Sequence, residues 1–184
     1  MKKLLVNRDS TFLQPIKKLI ENQKRRTLVM WTLECAEGVL PIFESKFPND
    51  KRPREALEAA KSWAFGQIKM SVAKKAAHAA HNAATKAGDE NPAARATART
   101  MGHVVGTVHV KTHAIGVVMY ALTAFVYENI QKNAEEVIAE KCDWFCNRLK
   151  CWEKNIDQVE KEWAPFLLKD THPNKETKII SKKK

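Results

Sequence analysis

The chain has 184 residues, with 32 Lys and Arg against 21 Asp and Glu, a formal charge of +11. One domain is the expectation at that length, and 44% hydrophobic residues supply a core, which excludes wholesale disorder. Four cysteines are too few for a disulfide scaffold and none forms C-x-x-C, so a reducing, cytoplasmic setting is expected.

The charge sits at the ends. Residues 1–26 hold eight basic and two acidic groups, a net of +6, and residues 165–184 hold six lysines against Asp170 and Glu176, a net of +4. Residues 27–164 are left with +1. Leu4, Leu5 and Val6 fall short of the about 7–15 apolar residues of a signal peptide. The chain therefore reads as a basic leader (1–26, short helix or irregular), a helical domain (27–168) and a Lys-rich, frayed tail (169–184).

Helices follow one another through the middle. Leu28, Trp31, Cys35 and Val39 mark an amphipathic helix, which Gly38 and Pro41 are expected to interrupt before a short helical turn at 42–47. Pro48-Asn49-Asp50 is a loop, and Pro53 suits the first position of a helix reaching about Phe65, with Gly66 near its end. Ser71 is the expected N-cap of a helix ending before Gly88, and Asn91-Pro92 opens the next. Ala98, Gly102 and Gly106 form a small-residue ridge against which another backbone is expected to lie. Thr100 to Tyr127 carries one formal charge, Lys111, but its longest uncharged apolar stretch, Ala114 to Tyr127, is 14 residues. That length suits a buried core helix rather than a membrane span, with a break near Lys111–Thr112. Ile138, Cys142, Phe145, Leu149, Trp152, Ile156, Val159 and Trp163 form an a/d seam. It predicts a long C-terminal amphipathic helix that lies across shorter helices or pairs two copies into a homodimer through 138–163. The whole reads as an all-α, single-domain bundle of about six to seven helices.

The chemistry-bearing residues are sparse. His78 and His81 are three apart and His109 and His113 four apart, spacings that let a pair share a metal. They are weak candidates, because no H-E-x-x-H is present; imidazoles filling gaps between Ala- and Gly-rich helices are the favoured reading, and no cofactor is expected. Glu34 and Glu37 share a helix with Trp31, while Asp50 precedes Arg52 and Arg54. Asp50 suits the adjacent helix N-terminus, and the arginines are expected to pair with Glu34 or Glu37. No G-x-S-x-G, phosphate loop or dinucleotide fingerprint occurs, so no catalytic residue is assigned and an enzyme is not expected. Residues 51–113 carry eleven basic against four acidic groups, a net of +7. Such a segment attracts phosphate or an acidic protein. Nucleic acid is the less favoured partner, since only Trp63 and Phe65 interleave with the basic residues.

Several stretches carry a family resemblance. Trp31-Thr32-Leu33-Glu34-Cys35-Ala36-Glu37-Gly38-Val39-Leu40-Pro41 is followed by Asp50-Lys51-Arg52-Pro53-Arg54-Glu55-Ala56, then Ala76-Ala77-His78-Ala79-Ala80-His81 and Ala93-Ala94-Arg95-Ala96, with His109, His113-Ala114 and Tyr120-Ala121 closing the pattern. Over about residues 27–125 the chain resembles an immunity-protein family attributed to bacterial polymorphic toxin systems. The resemblance implies an all-helical domain that binds and blocks a cognate toxin without chemistry of its own, and it carries no catalytic set. Trp31, Glu34, Glu37, Asp50, Arg52 and Arg54 are the expected partner-binding residues, the alternative being that they brace the first helices.

Overall fold

The computed structural model describes residues 5–169, and the expected Lys-rich tail lies outside them apart from Lys169. Seven α-helices and three short 3₁₀ turns make up the described residues, with no strand among them: α1 (Gln14–Glu21), α2 (Arg25–Lys46), α3 (Arg52–Ala64), α4 (Met70–Ala87), α5 (Pro92–His109), α6 (His113–Glu128) and α7 (Ala134–Asn155). Helix α5 is the axis of the bundle and packs against α2, α3, α4 and α6. Its composition explains that place. Ala94, Ala98, Met101, Gly102, Val105 and Val108 are all buried, and small side chains let neighbouring helices close on it from several sides.

Local signals set most boundaries. Asn91 and Pro92 begin α5, and Gly88, at φ 71°, ends α4 in a conformation glycine adopts without strain. Asn133 caps α7 by accepting from the Glu135 N–H at 2.8 Å. Between α5 and α6 the chain turns at Lys111–Thr112, as expected. No helix among the described residues is long and apolar enough to cross a membrane.

Four expectations are corrected. Helix α2 runs unbroken through Gly38 and Pro41, because thirteen of its 22 residues are buried and tertiary packing outweighs two weak helix formers. Helix α4 starts at Met70, with Lys69 rather than Ser71 at its N-cap. The leader is part of the domain, since Val6, Leu13, Ile16 and Ile20 lie in the main core. The heptad helix stops at Asn155, whose side-chain amide donates to the Cys151 carbonyl at 2.8 Å, and a 3₁₀ turn follows at Ile156–Gln158.

The chain then doubles back to the end of α3. There the Ala164 N–H donates to the Ala64 carbonyl at 2.9 Å, and Trp163 packs on Phe65 with centroids 5.2 Å apart. Trp163 is thus buried in register with the seam but not on the helix. Ile138, Cys142, Phe145 and Leu149 are buried in this chain's own core. These four seam positions thus pack across shorter helices of the same chain, the first of the two uses expected for this helix.

Candidate functional site

Two faces gather the polar residues. The first is the edge formed by α2 and α3. Trp31, expected there, is instead fully buried; its indole N–H donates to the Phe145 carbonyl at 3.0 Å and its ring meets Phe145 edge-on. Glu34 turns towards α7, where it accepts from the Trp152 indole at 2.6 Å and pairs with Arg148 at 2.8 Å. These two residues tie α2 to α7.

The remaining four stay on the edge. Glu37 pairs with Lys61 of α3 at 2.8 Å, and Lys61 also reaches Glu58 at 3.2 Å. Arg54 and Arg52 do not pair with Glu34 or Glu37. Arg54 grips both carboxylate oxygens of Glu44 at 2.6 Å, and Arg52 reaches back to Asp50, donating at 2.8 and 2.5 Å. The reason is register: α2 and α3 are antiparallel, so residue 54 lies opposite 44 and residue 61 opposite 37. The Arg54 guanidinium holds the Glu44 carboxyl below its ordinary value, and Arg52 does the same to Asp50. Both remain ionised at neutral pH, unsuited to taking up a proton as general acid or base. At the turn between the helices an open depression of about 720 Å³ is lined by Lys46, Phe47, Asp50, Lys51, Arg52 and Lys86, among others.

The outward stripe of α2 runs between these ion pairs. Gly38, Pro41 and Ser45, at spacings of three and four, are all exposed, and nothing lies within 4 Å of a Cβ built on Gly38. Proline has no N–H to give to the Glu37 carbonyl. A long helix therefore keeps its two weakest helix formers on a surface where no contact of its own requires them.

The second face crosses α4, α5 and α6. Here the structure brings together His81, His103 and His113. Of the candidate metal ligands, His78 is exposed on α4, and His109 sits at the last position of α5, before the break, against Trp63 at 6.1 Å. The residue that completes the cluster, His103, lies six before His109 and so off its face of α5; the turn at Lys111–Thr112 folds α6 back and brings His113 beside it. His103 Nδ1 lies 3.2 Å from His113 Nδ1, so one ring donates to the other, and His103 also stacks on Tyr120 with centroids 5.1 Å apart.

Each ring fills a slot made by a glycine. A Cβ on Gly102 would lie 2.3 Å from the His81 ring, one on Gly106 2.7 Å from His113, and one on Gly116 2.5 Å from His103. The Gly102–Gly106 ridge thus admits imidazoles, not the backbone expected there. The repeated pairing of a half-buried histidine with a glycine on the next helix was the available signal, but only the helix order says which pairs meet.

Burial holds His81 down at about 4, with the nearby Arg99, His78 and His113 adding to it. Burial also holds His103 down at about 3, with His113, His81, Arg8 and Arg99 adding to it. Both rings are neutral at neutral pH. His81 Nδ1 is buried without a hydrogen-bond partner, and among the described residues no group of three or more His, Cys, Asp or Glu side chains is arranged to hold a metal ion. His81, His103 and His113 fill gaps between the helices, whereas His78 and His109 are exposed and fill none.

No curated protein and no solved structure matches the chain. A family model described as "Imm-5 like putative immunity protein" matches residues 18–150, a span that runs from α1 into α7 and holds both faces. The bundle, the charged α2–α3 edge and the histidine-bearing helices all fall within a match covering well over half of the chain, which therefore belongs to this immunity-protein family.

Proposed function

We propose that the protein neutralises a cognate toxin of a bacterial polymorphic toxin system by binding it directly, in the cytoplasm and without chemistry of its own. Family membership carries this reading. The α2–α3 edge supports it physically. Its carboxylates and guanidiniums hold one another in a fixed charge pattern, which suits recognition by geometry and not proton transfer. Between them the bare stripe at Gly38 and Pro41 lets another chain approach the α2 backbone closely. Residues that weaken a helix yet stay on its surface are expected where function, not folding, keeps them.

The recognition surface is then Glu37, Gly38, Pro41, Glu44, Arg52 and Arg54, with Asp50 at the rim of the depression. Trp31 and Glu34 support it from behind by fixing α2 to α7. Co-expression with the toxin encoded beside the gene tests the function: cells survive and the two proteins co-purify. Gly38→Arg and Arg54→Glu, on a surface with room for both, should abolish protection while the protein stays folded, with only small shifts in melting temperature. Full protection by both variants would place the surface elsewhere, and death of cells co-expressing the adjacent toxin would overturn the function.

A further inference from the structure

The face opposite in character to the α2–α3 edge has its own electrostatics. Helices α4, α5 and α6 contain a single carboxylate, Glu128 at the last position of α6, whereas they carry Lys74, Lys75, Lys86, Arg95, Arg99 and five of the chain's six histidines. Lys74, His78, His81 and Thr85 recur at spacings of four and three along α4; of these, Thr85 meets Arg99 of α5 and His81 sits in the Gly102 slot. Arg95 is tied to Asp89. Arg99 has no carboxylate partner among the described residues; its one hydrogen bond is to the Thr85 hydroxyl, at 3.5 Å. A second, smaller depression opens there, lined by Thr85, Gly88, Asp89, Arg95 and Arg99.

We propose that this α4–α5–α6 face, centred on Arg99, docks an acidic segment of a protein partner. A guanidinium with no carboxylate partner among the described residues, close to the neutral His81 ring, is a place where charge-assisted hydrogen bonds to carboxylates are gained at little cost in broken pairs. Arg99 is half-buried beside Thr85, a position that a slender Asp or Glu side chain reaches more readily than a phosphodiester backbone. The faces that would stack bases are occupied, His103 and Tyr120 lying on each other. The inference rests on the reading that the protein acts by binding another protein. It adds that the matching partner surface is acidic, unlike the basic substrate cleft of a nuclease.

The test titrates the full chain with a short glutamate-rich peptide, and in parallel with its glutamine counterpart, tripolyphosphate and duplex DNA, following the His81, His103 and His113 imidazole resonances. The expected result is that the glutamate peptide shifts these resonances and the glutamine peptide does not. Arg99→Gln should weaken binding at least about tenfold, the loss of one hydrogen bond to a charged group. Lys74→Glu, on an exposed side chain that leaves folding untouched, should weaken it several-fold. Binding that moves only the lysines at the chain end, or that survives both substitutions, overturns the proposal. Tighter binding of DNA or tripolyphosphate at the same histidines also overturns it and makes the face a phosphate site. Peptide binding here without protection from the toxin would overturn the immunity reading alone; protection without peptide binding would overturn this inference alone.

Discussion

The two polar faces solve the problem of surface charge in opposite ways. Along α2 and α3, Lys61, Arg54 and Arg52 each meet a carboxylate of the same hairpin, and the glycine on that edge, Gly38, faces open space. Across α4, α5 and α6 carboxylates are nearly absent, and Gly102, Gly106 and Gly116 each receive an imidazole. The first face is a closed set of ion pairs around a bare strip. The second is a set of interlocked rings with positive charge left over. A glycine in a helix thus means opposite things on the two faces: available surface on one, a filled slot on the other.

Four experiments sharpen or break that contrast, the largest effect first. Gly102→Ala should destabilise the protein by about 1–3 kcal/mol in urea unfolding, the range for overpacking, even though alanine is intrinsically the better helix former. His81→Ala in the same chain should recover much of the loss, because the clash is with that ring. An additive double mutant would mean the ring is not seated on Gly102.

The second experiment is pH. His81 and His103 have folded values of about 4 and about 3, below the ordinary histidine value of 6.5. Between 6.5 and those values the unfolded chain binds more protons, so stability falls as pH is lowered through that window. The α2–α3 edge behaves differently. Glu44 and Asp50 are held below the ordinary carboxylate range, so their contribution is present above it and is lost only as pH falls further, through their lowered values. Urea unfolding from pH 7.5 down to 4.5 should therefore show a decline that His81→Asn with His103→Asn flattens and that Arg54→Ala leaves in place.

On the edge itself the expected effects are smaller and one is reversed. Gly38→Ala should stabilise the protein by up to about 1 kcal/mol, the intrinsic helix difference, since a Cβ there meets nothing. A loss of stability would show that the stripe is covered. Arg54→Ala should cost about 0.2–1 kcal/mol, the usual range for an exposed ion pair, measured as a small drop in melting temperature that shrinks at high salt. A cost several times larger would mean the pair with Glu44 organises the hairpin.

Much of the fold was legible from residue spacing. The helices, the Asn91-Pro92 start of α5, the Gly88 end of α4 and the turn at Lys111–Thr112 follow from periodicity and from the backbone chemistry of proline, glycine and asparagine. The misread elements share one cause. Gly38 and Pro41 argue locally for a break, but the buried face of α2, from Leu28 through Trp31 and Cys35 to Phe43, keeps the helix whole. Val159 and Trp163 fit the heptad spacing, yet Trp163 reaches the core through a doubled-back segment, because a burial pattern does not specify the path that delivers a side chain. In the site, the partners of Arg52 and Arg54 depended on the antiparallel register of α2 and α3. The grouping of His103 with His81 and His113 depended on how α4 and α6 flank α5.

By itself, then, the sequence determined an all-helical domain, its main boundaries, its family resemblance and the separation of charge between a mixed first half and an acid-poor middle. These are properties of single residues and of spacings within one helix. Only the tertiary structure decided that Trp31 and Glu34 face inward, that the seam of α7 is buried in its own chain, and that three glycines hold three histidines near an arginine with no carboxylate partner among the described residues. Each of these depends on which helices are neighbours, and that is fixed by the simultaneous burial of all their apolar faces rather than by any one of them.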